Sequence, residues 1–308
     1  VLRITLLISS LLSLIGCTEQ ETNQPESAPR IDGIFQSDDR AQADPSEPVY
    51  PFIGQLISQM EDKEYHRCGA TLLANNMLVT SASCFLTRDG KTVHAAEAAS
   101  FFPLKDNKHR QIQYPVRQIW LSHRYIKSIL QPEKTDAAPL HNIALVTLKP
   151  IGKDPDTGKV YGWAGYSAGR DYIPQATLVS YGFQQDKPRD SLWKSICTEK
   201  VRSGRDHIKF TCDGLAGIIG GPVFITSLAD KYPRVLGVNL GFLGDEEGRN
   251  EFYRLPEALH EVIEQYRAGN TKATSPLFNT RTSFRQLAEF REGTLQANLF
   301  DGLSRSAE

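Results

Sequence analysis

The sequence predicts an all-β domain, barrel or sandwich, closed by one helix, and three observations carry that prediction. Between residues 31 and 266, short runs rich in Val, Ile, Leu, Phe and Tyr alternate with Gly, Pro, Asn and Asp breaks. A helical period enters only near the end, where Leu259, Val262, Ile263 and Tyr266 follow Pro256. Four of the five cysteines, Cys68, Cys84, Cys197 and Cys212, fall within this region. An even number in an exported chain implies two disulfides, the usual reinforcement of such domains.

Arg3 precedes an apolar run over residues 4–15, which is too short to span a bilayer but suits the core of a signal peptide. The run ends in Leu14-Ile15-Gly16-Cys17. This order resembles the lipobox of bacterial lipoproteins, in which the cysteine is lipidated and becomes the new N-terminus. The resemblance implies export, a lipid on Cys17 and, from Thr18 rather than Asp after it, the outer membrane. Residues 1–16 are therefore expected to be a signal peptide. Residues 17–30 are polar and should form a flexible tether, because they contain almost nothing to bury.

Strands are expected at 52–57, 70–73, 77–80, 116–121, 143–148, 175–181, 222–225 and 235–240, followed by a helix at 255–266. The domain should span 31–267, and 268–308 is a polar extension in which Phe284, Leu287, Leu295 and Leu299 hint at a weak helix. Four cysteines allow three pairings. The short-loop pairs Cys68–Cys84 and Cys197–Cys212 are the simplest, each stabilising by about 3 kcal/mol in the loop-entropy account. The net charge of -1 gives no global attraction for nucleic acid, and no Cys/His spacing reads as a metal site, so neither nucleic acid nor a cofactor is expected.

Three stretches carry a family resemblance. Cys68-Gly69-Ala70-Thr71-Leu72-Leu73, followed by Met77-Leu78-Val79-Thr80-Ser81-Ala82-Ser83-Cys84, resembles the segment of chymotrypsin-like serine proteases that ends in the catalytic histidine. His141-Asn142-Ile143-Ala144-Leu145 resembles the entry to the strand bearing the triad aspartate. Gly217-Ile218-Ile219-Gly220-Gly221-Pro222-Val223 resembles the turn bearing the nucleophilic serine. Asp38-Asp39-Arg40, Pro150-Ile151-Gly152, Gly162-Trp163-Ala164-Gly165-Tyr166 and Asp186-Lys187-Pro188 resemble the bacterial glutamyl-endopeptidase branch. The resemblance covers about residues 31–266. It implies two six-stranded antiparallel β-barrels with a cleft between them, and the two short-loop disulfides.

By that resemblance Ser83, Asn142 and Ile219 stand where histidine, aspartate and serine belong. Triad chemistry needs an attacking hydroxyl, an imidazole to remove its proton, and a carboxylate to orient the imidazole. Isoleucine has no heteroatom, serine is no general base near neutral pH, and asparagine carries no charge. His141 adjoins the aspartate position, not the histidine position, and Ser81 adds only another weak hydroxyl. Gly217 and the N–H of Ile219 match the oxyanion-hole donors, and we read them as retained turn geometry. Asp213 falls at the base of the specificity pocket, with Gly214, Asn239 and Gly241 as further pocket positions. Asn239 and Gly214 replace the branch's histidine and threonine there. The expected function is thus an inactive protease homologue on a membrane, binding a protein or peptide partner or serving as a scaffold. The alternatives are a hydrolase with non-family catalytic residues and a regulatory or structural partner of an active protease.

Overall fold

The computed structural model describes residues 31–59, 65–85, 99–104, 113–122, 124–125, 141–149, 162–167, 173–201, 206–226, 232–242 and 249–270. The expectations for the signal peptide, Cys17, the tether, residues 150–152 and the extension beyond 270 lie outside these residues.

The strands are β1 (Ala41–Gln42), β2 (Ile53–Gln59), β3 (Tyr65–Ala74), β4 (Met77–Thr80), β5 (Ala99–Pro103), β6 (Tyr114–Leu121) and β7 (Ala144–Leu148). After them come β8 (Gly165–Tyr166), β9 (Ile173–Gly182), β10 (Trp193–Val201), β11 (His207–Phe210), β12 (Pro222–Thr226), β13 (Arg234–Phe242) and β14 (Asn250–Arg254). An α-helix, α1 (Leu259–Arg267), closes the domain.

Strands β2 to β7 form a closed antiparallel barrel in the order β2-β3-β4-β7-β6-β5. In β5, alternate residues face inward and Phe101 is fully buried; β7 is buried at all five positions. The strand period of two explains the first pattern. The second arises because the outer face of β7 is also covered: Leu145 belongs to a separate core cluster shared with the second sheet and α1. Phe52 packs against both that shared cluster and the interior of the first barrel.

The second sheet runs β1-β10-β9-β12-β13-β14-β11, with β8 parallel to β13. Its six main strands curl without closing by hydrogen bonds, so the expected pair of barrels is one closed barrel and one curled sheet. Cys197 on β10 pairs with Cys212, two residues beyond β11, and this disulfide links the two edges that a closed barrel would have joined. The other disulfide is Cys68–Cys84, so both pairs are the short-loop ones.

Helix α1 buries Leu259, Val262, Ile263 and Tyr266, the four apolar positions read from the sequence. It begins later than residue 255, because the chain from Pro256 first makes tighter turns, with Leu259 N–H donating to Pro256 O and His260 N–H to Glu257 O. Arg267 donates from Nε to Leu73 O and from Nη2 to Ala164 O, which holds the helix against the first barrel.

Candidate functional site

The antiparallel pair β4–β7, with Thr80 opposite Ala144, sets the turn after β4 beside the residues before β7. Ser81 and Ser83 occupy the first place and Asn142 the second. The Asn142 amide is oriented by the backbone, since its Oδ1 accepts from Ser83 N–H at 2.8 Å. Oδ1 also accepts from Ser81 Oγ at 2.8 Å. Because the Ser81 proton goes there, Ser83 Oγ must be the donor in the 2.8 Å contact between the two hydroxyls. Asn142 Nδ2 closes the ring by donating to Ser83 Oγ at 3.3 Å. Ser83 and Asn142 are thus brought together, but as neutral groups, with both hydroxyl protons held within the ring.

The adjacent His141 turns elsewhere. Its backbone is left-handed, with φ of 62°, and its ring reaches across to Tyr253 of β14, whose hydroxyl meets Nδ1. Arg124 Nη1 lies 2.9 Å from Nε2. Arginine only donates, so Nε2 is the unprotonated nitrogen and Nδ1 carries the proton facing Tyr253. The imidazole is used to join the first barrel to the second sheet.

The turn bearing Ile219 keeps a demanding backbone. Gly217 has φ of 107°, and a Cβ there would stand 2.0 Å from Phe183 O. Gly220 has φ of 78°, and its Cβ would stand 2.2 Å from Thr80 Oγ1, so both positions require glycine. Ile219 O accepts from Gly69 N–H at 2.9 Å, a bond between the two halves. Among the described residues no acceptor takes the N–H of Gly217 or Ile219. Ile218 is fully buried, wedged against Gly182 and Gly214. The Ile219 side chain packs on the first barrel's core and extends towards Gly241, its Cγ1 3.3 Å from where a Cβ on that glycine would stand. The turn therefore presents hydrocarbon in the cleft.

The remaining pocket positions are engaged by the protein itself. Asp213 is buried, and its two carboxyl oxygens accept from Phe35 N–H at 2.6 Å and Asp39 N–H at 2.9 Å. Asp213 N–H donates to Ser195 Oγ, which in turn donates to Asp39 Oδ1. Gly214 N–H donates to Gly33 O, and Asn250 Nδ2 donates to the same oxygen. Residues 31–40 thus form a strap stitched to the second sheet at the expected pocket base. Burial pushes the Asp213 carboxyl up to about 6, and the Asp39 carboxyl beside it acts in the same direction, while the Phe35 and Asp39 amides pull the other way. Asn239 is fully buried too. It takes a hydrogen bond from Ser180 Oγ at 3.1 Å and donates to Tyr181 O, so its side chain braces the sheet.

Sequence reasoning missed Arg40 as the pin of this strap. It donates in bidentate fashion to Asp38 and to Asp186, and once to Gln184. The guanidinium holds the Asp38 carboxyl down to about 2 and lowers Asp186 as well. The available signal was that Asp38-Asp39-Arg40 and Asp186-Lys187-Pro188 both belonged to the family-like stretches. Among the described residues no group of three His, Cys, Asp or Glu side chains is placed to hold a metal ion.

A closed antiparallel barrel and a curled six-strand sheet, with a turn shaped like Gly217–Gly221 facing a β4–β7 junction and a terminal helix, define the chymotrypsin-like serine protease fold. Solved structures agree. A Glu endopeptidase in complex with MPD is 17% identical, covers 76% of this chain and 99% of its own, and superposes with a TM-score of 0.56. An inactivated protease paralogue of the scabies mite is 14% identical over 74% of this chain and 100% of its own, with a TM-score of 0.52. The protease Anisep from Arthrobacter nicotinovorans is 14% identical over 72% of this chain and 98% of its own, with a TM-score of 0.50. No family model and no curated protein matches the sequence.

Proposed function

We propose that this chain is a catalytically inert serine protease homologue, exported and held at the outer membrane by a lipid on Cys17, which works by binding a protein or peptide partner. The observation that carries the proposal is the pairing of a hydrocarbon side chain, Ile219, with the closed Ser83–Ser81–Asn142 ring at the positions the family resemblance assigns to catalysis. A hydrolytic step needs a base to take the nucleophile's proton. In the ring, Ser83 donates its proton to Ser81, and Asn142 occupies a lone pair of Ser83 Oγ. Among the described residues neither hydroxyl meets an imidazole or a carboxylate that could activate it. The triad acts as a unit, so loss of its members leaves at most about 10³–10⁴-fold over water.

A fluorophosphonate probe on the full chain tests this. No labelling is expected, and a peptide-substrate panel should show no turnover above buffer. Labelling that disappears in Ser83→Ala would overturn the proposal and favour a hydrolase with non-family residues. Crosslinking in the native membrane would separate a cleft-binding protein from a scaffold: adducts at Ile219 or Gly241 indicate the cleft.

A further inference from the structure

Away from the cleft, a groove of about 450 Å³ opens between the two halves of the domain. Phe52, Trp163 and Tyr232 supply aromatic walls, Pro48 and Pro233 add flat apolar edges, and Arg234 lies on the rim. Tyr232 keeps 56% of its surface exposed, so its ring is accessible to an occupant of the groove. Proline has no N–H, so these two edges cannot extend a sheet; the groove suits side-chain packing, with rings and a proline as the natural occupants.

The end of α1 lies at this groove. Arg267 donates to the carbonyl of Ala164, and its guanidinium lies 5.8 Å from the Trp163 ring centre; both residues line the groove. The helix then stops in a Schellman turn, with Asn270 N–H bonded to Gln265 O and Gly269 N–H to Tyr266 O. Beyond Asn270 come five residues, Thr271, Lys272, Ala273, Thr274 and Ser275, and then the first apolar group of the extension, Pro276-Leu277-Phe278. Five residues reach up to about 17 Å when extended, farther than the Arg267 side chain that already spans from the helix end to Ala164.

We propose that Pro276, Leu277 and Phe278 of the chain's own C-terminal extension occupy the Phe52–Trp163–Tyr232 groove. Tethering decides between this occupant and a second copy. A short connector gives an effective concentration of about millimolar, so a weak site fills from its own chain long before it fills from a partner at micromolar concentration. The proposal stands whether or not the cleft is inert.

Photo-crosslinking in the full chain tests it, with a benzophenone amino acid at position 278. The expected product is a crosslinked monomer whose adducts map to 162–167 or 232–234, at a yield independent of protein concentration. Trp163→Ala should cut that yield at least tenfold while the far-ultraviolet circular dichroism stays unchanged. As a second reading, Phe278→Asp in the otherwise native chain should raise iodide quenching of Trp163 fluorescence severalfold, with Trp163→Phe identifying the signal. Adducts elsewhere on the domain, dimers that grow with concentration, or quenching unaffected by Phe278→Asp would each overturn the proposal.

Discussion

The strap over residues 31–40 is fastened to a buried acid, and that makes its docking depend on pH. The perturbation is Asp213→Asn. In the folded protein the Asp213 carboxyl is raised from 3.8 to about 6. The fold therefore binds this proton more tightly than the unfolded chain does. The stabilisation is complete below about pH 3.8 and is lost as pH rises through about 6. A change from 3.8 to about 6 corresponds to about 3 kcal/mol in all, of which about half is lost between pH 5 and pH 7.5. The lowered carboxyls Asp38, Glu47 and Asp186 lose most of their protons below that window even in the unfolded chain, and what slope remains near pH 5 is common to wild type and variant. The substituted amide would set an NH₂ against one of the two backbone N–H donors, a mismatch costing about 1–3 kcal/mol at pH 5. Urea unfolding of both proteins, disulfides intact, at pH 5 and pH 7.5 is the assay. The expected result is a penalty for the variant that shrinks by about 1–2 kcal/mol at the higher pH. A penalty of equal size at both values would refute the assignment of Asp213 as the group that titrates beneath the strap.

Arg40→Ala removes five side-chain hydrogen bonds and leaves the Asp38 and Asp186 carboxylates to Lys187, whose Nζ lies 3.8 and 3.7 Å from them. It should cost about 2–4 kcal/mol in chemical denaturation and expose residues 31–40 to proteolysis, and Arg40→Lys should recover only part, since an ammonium cannot form the paired forks. Gly220→Ala places a methyl group 2.2 Å from Thr80 Oγ1 at a left-handed backbone angle. A loss of at least about 2 kcal/mol is expected by thermal unfolding, with the Gly69–Ile219 bond between the two halves weakened first.

Much of this molecule was legible along the chain because the signals were local. Runs such as Met77–Thr80 name a strand wherever they are placed, since three of its four residues are apolar and all four are buried. The apolar spacing of α1 and the short-loop disulfides are also local features. β14 was not legible: all five residues are buried, yet Asn250, Glu251 and Arg254 are polar. They can be buried because partners distant in sequence meet them, as Gly33 O meets Asn250 and His207 lies beside Glu251. β10 was missed because its pattern is inverted, with Ser195 buried and Ile196 exposed.

The candidate site divides along the same line. Residue identity alone established that Ser83 brings no imidazole, Asn142 no carboxylate and Ile219 no hydroxyl, because a side chain's chemistry does not depend on its neighbours. Only the folded structure decided what those residues do instead. The hydroxyl ring forms because the end of β4 meets the start of β7, and Asp213 meets the strap because two segments 174 residues apart in sequence are packed against each other. A proton's direction and a carboxyl's affinity for it are set by distance and burial, which long-range packing alone creates.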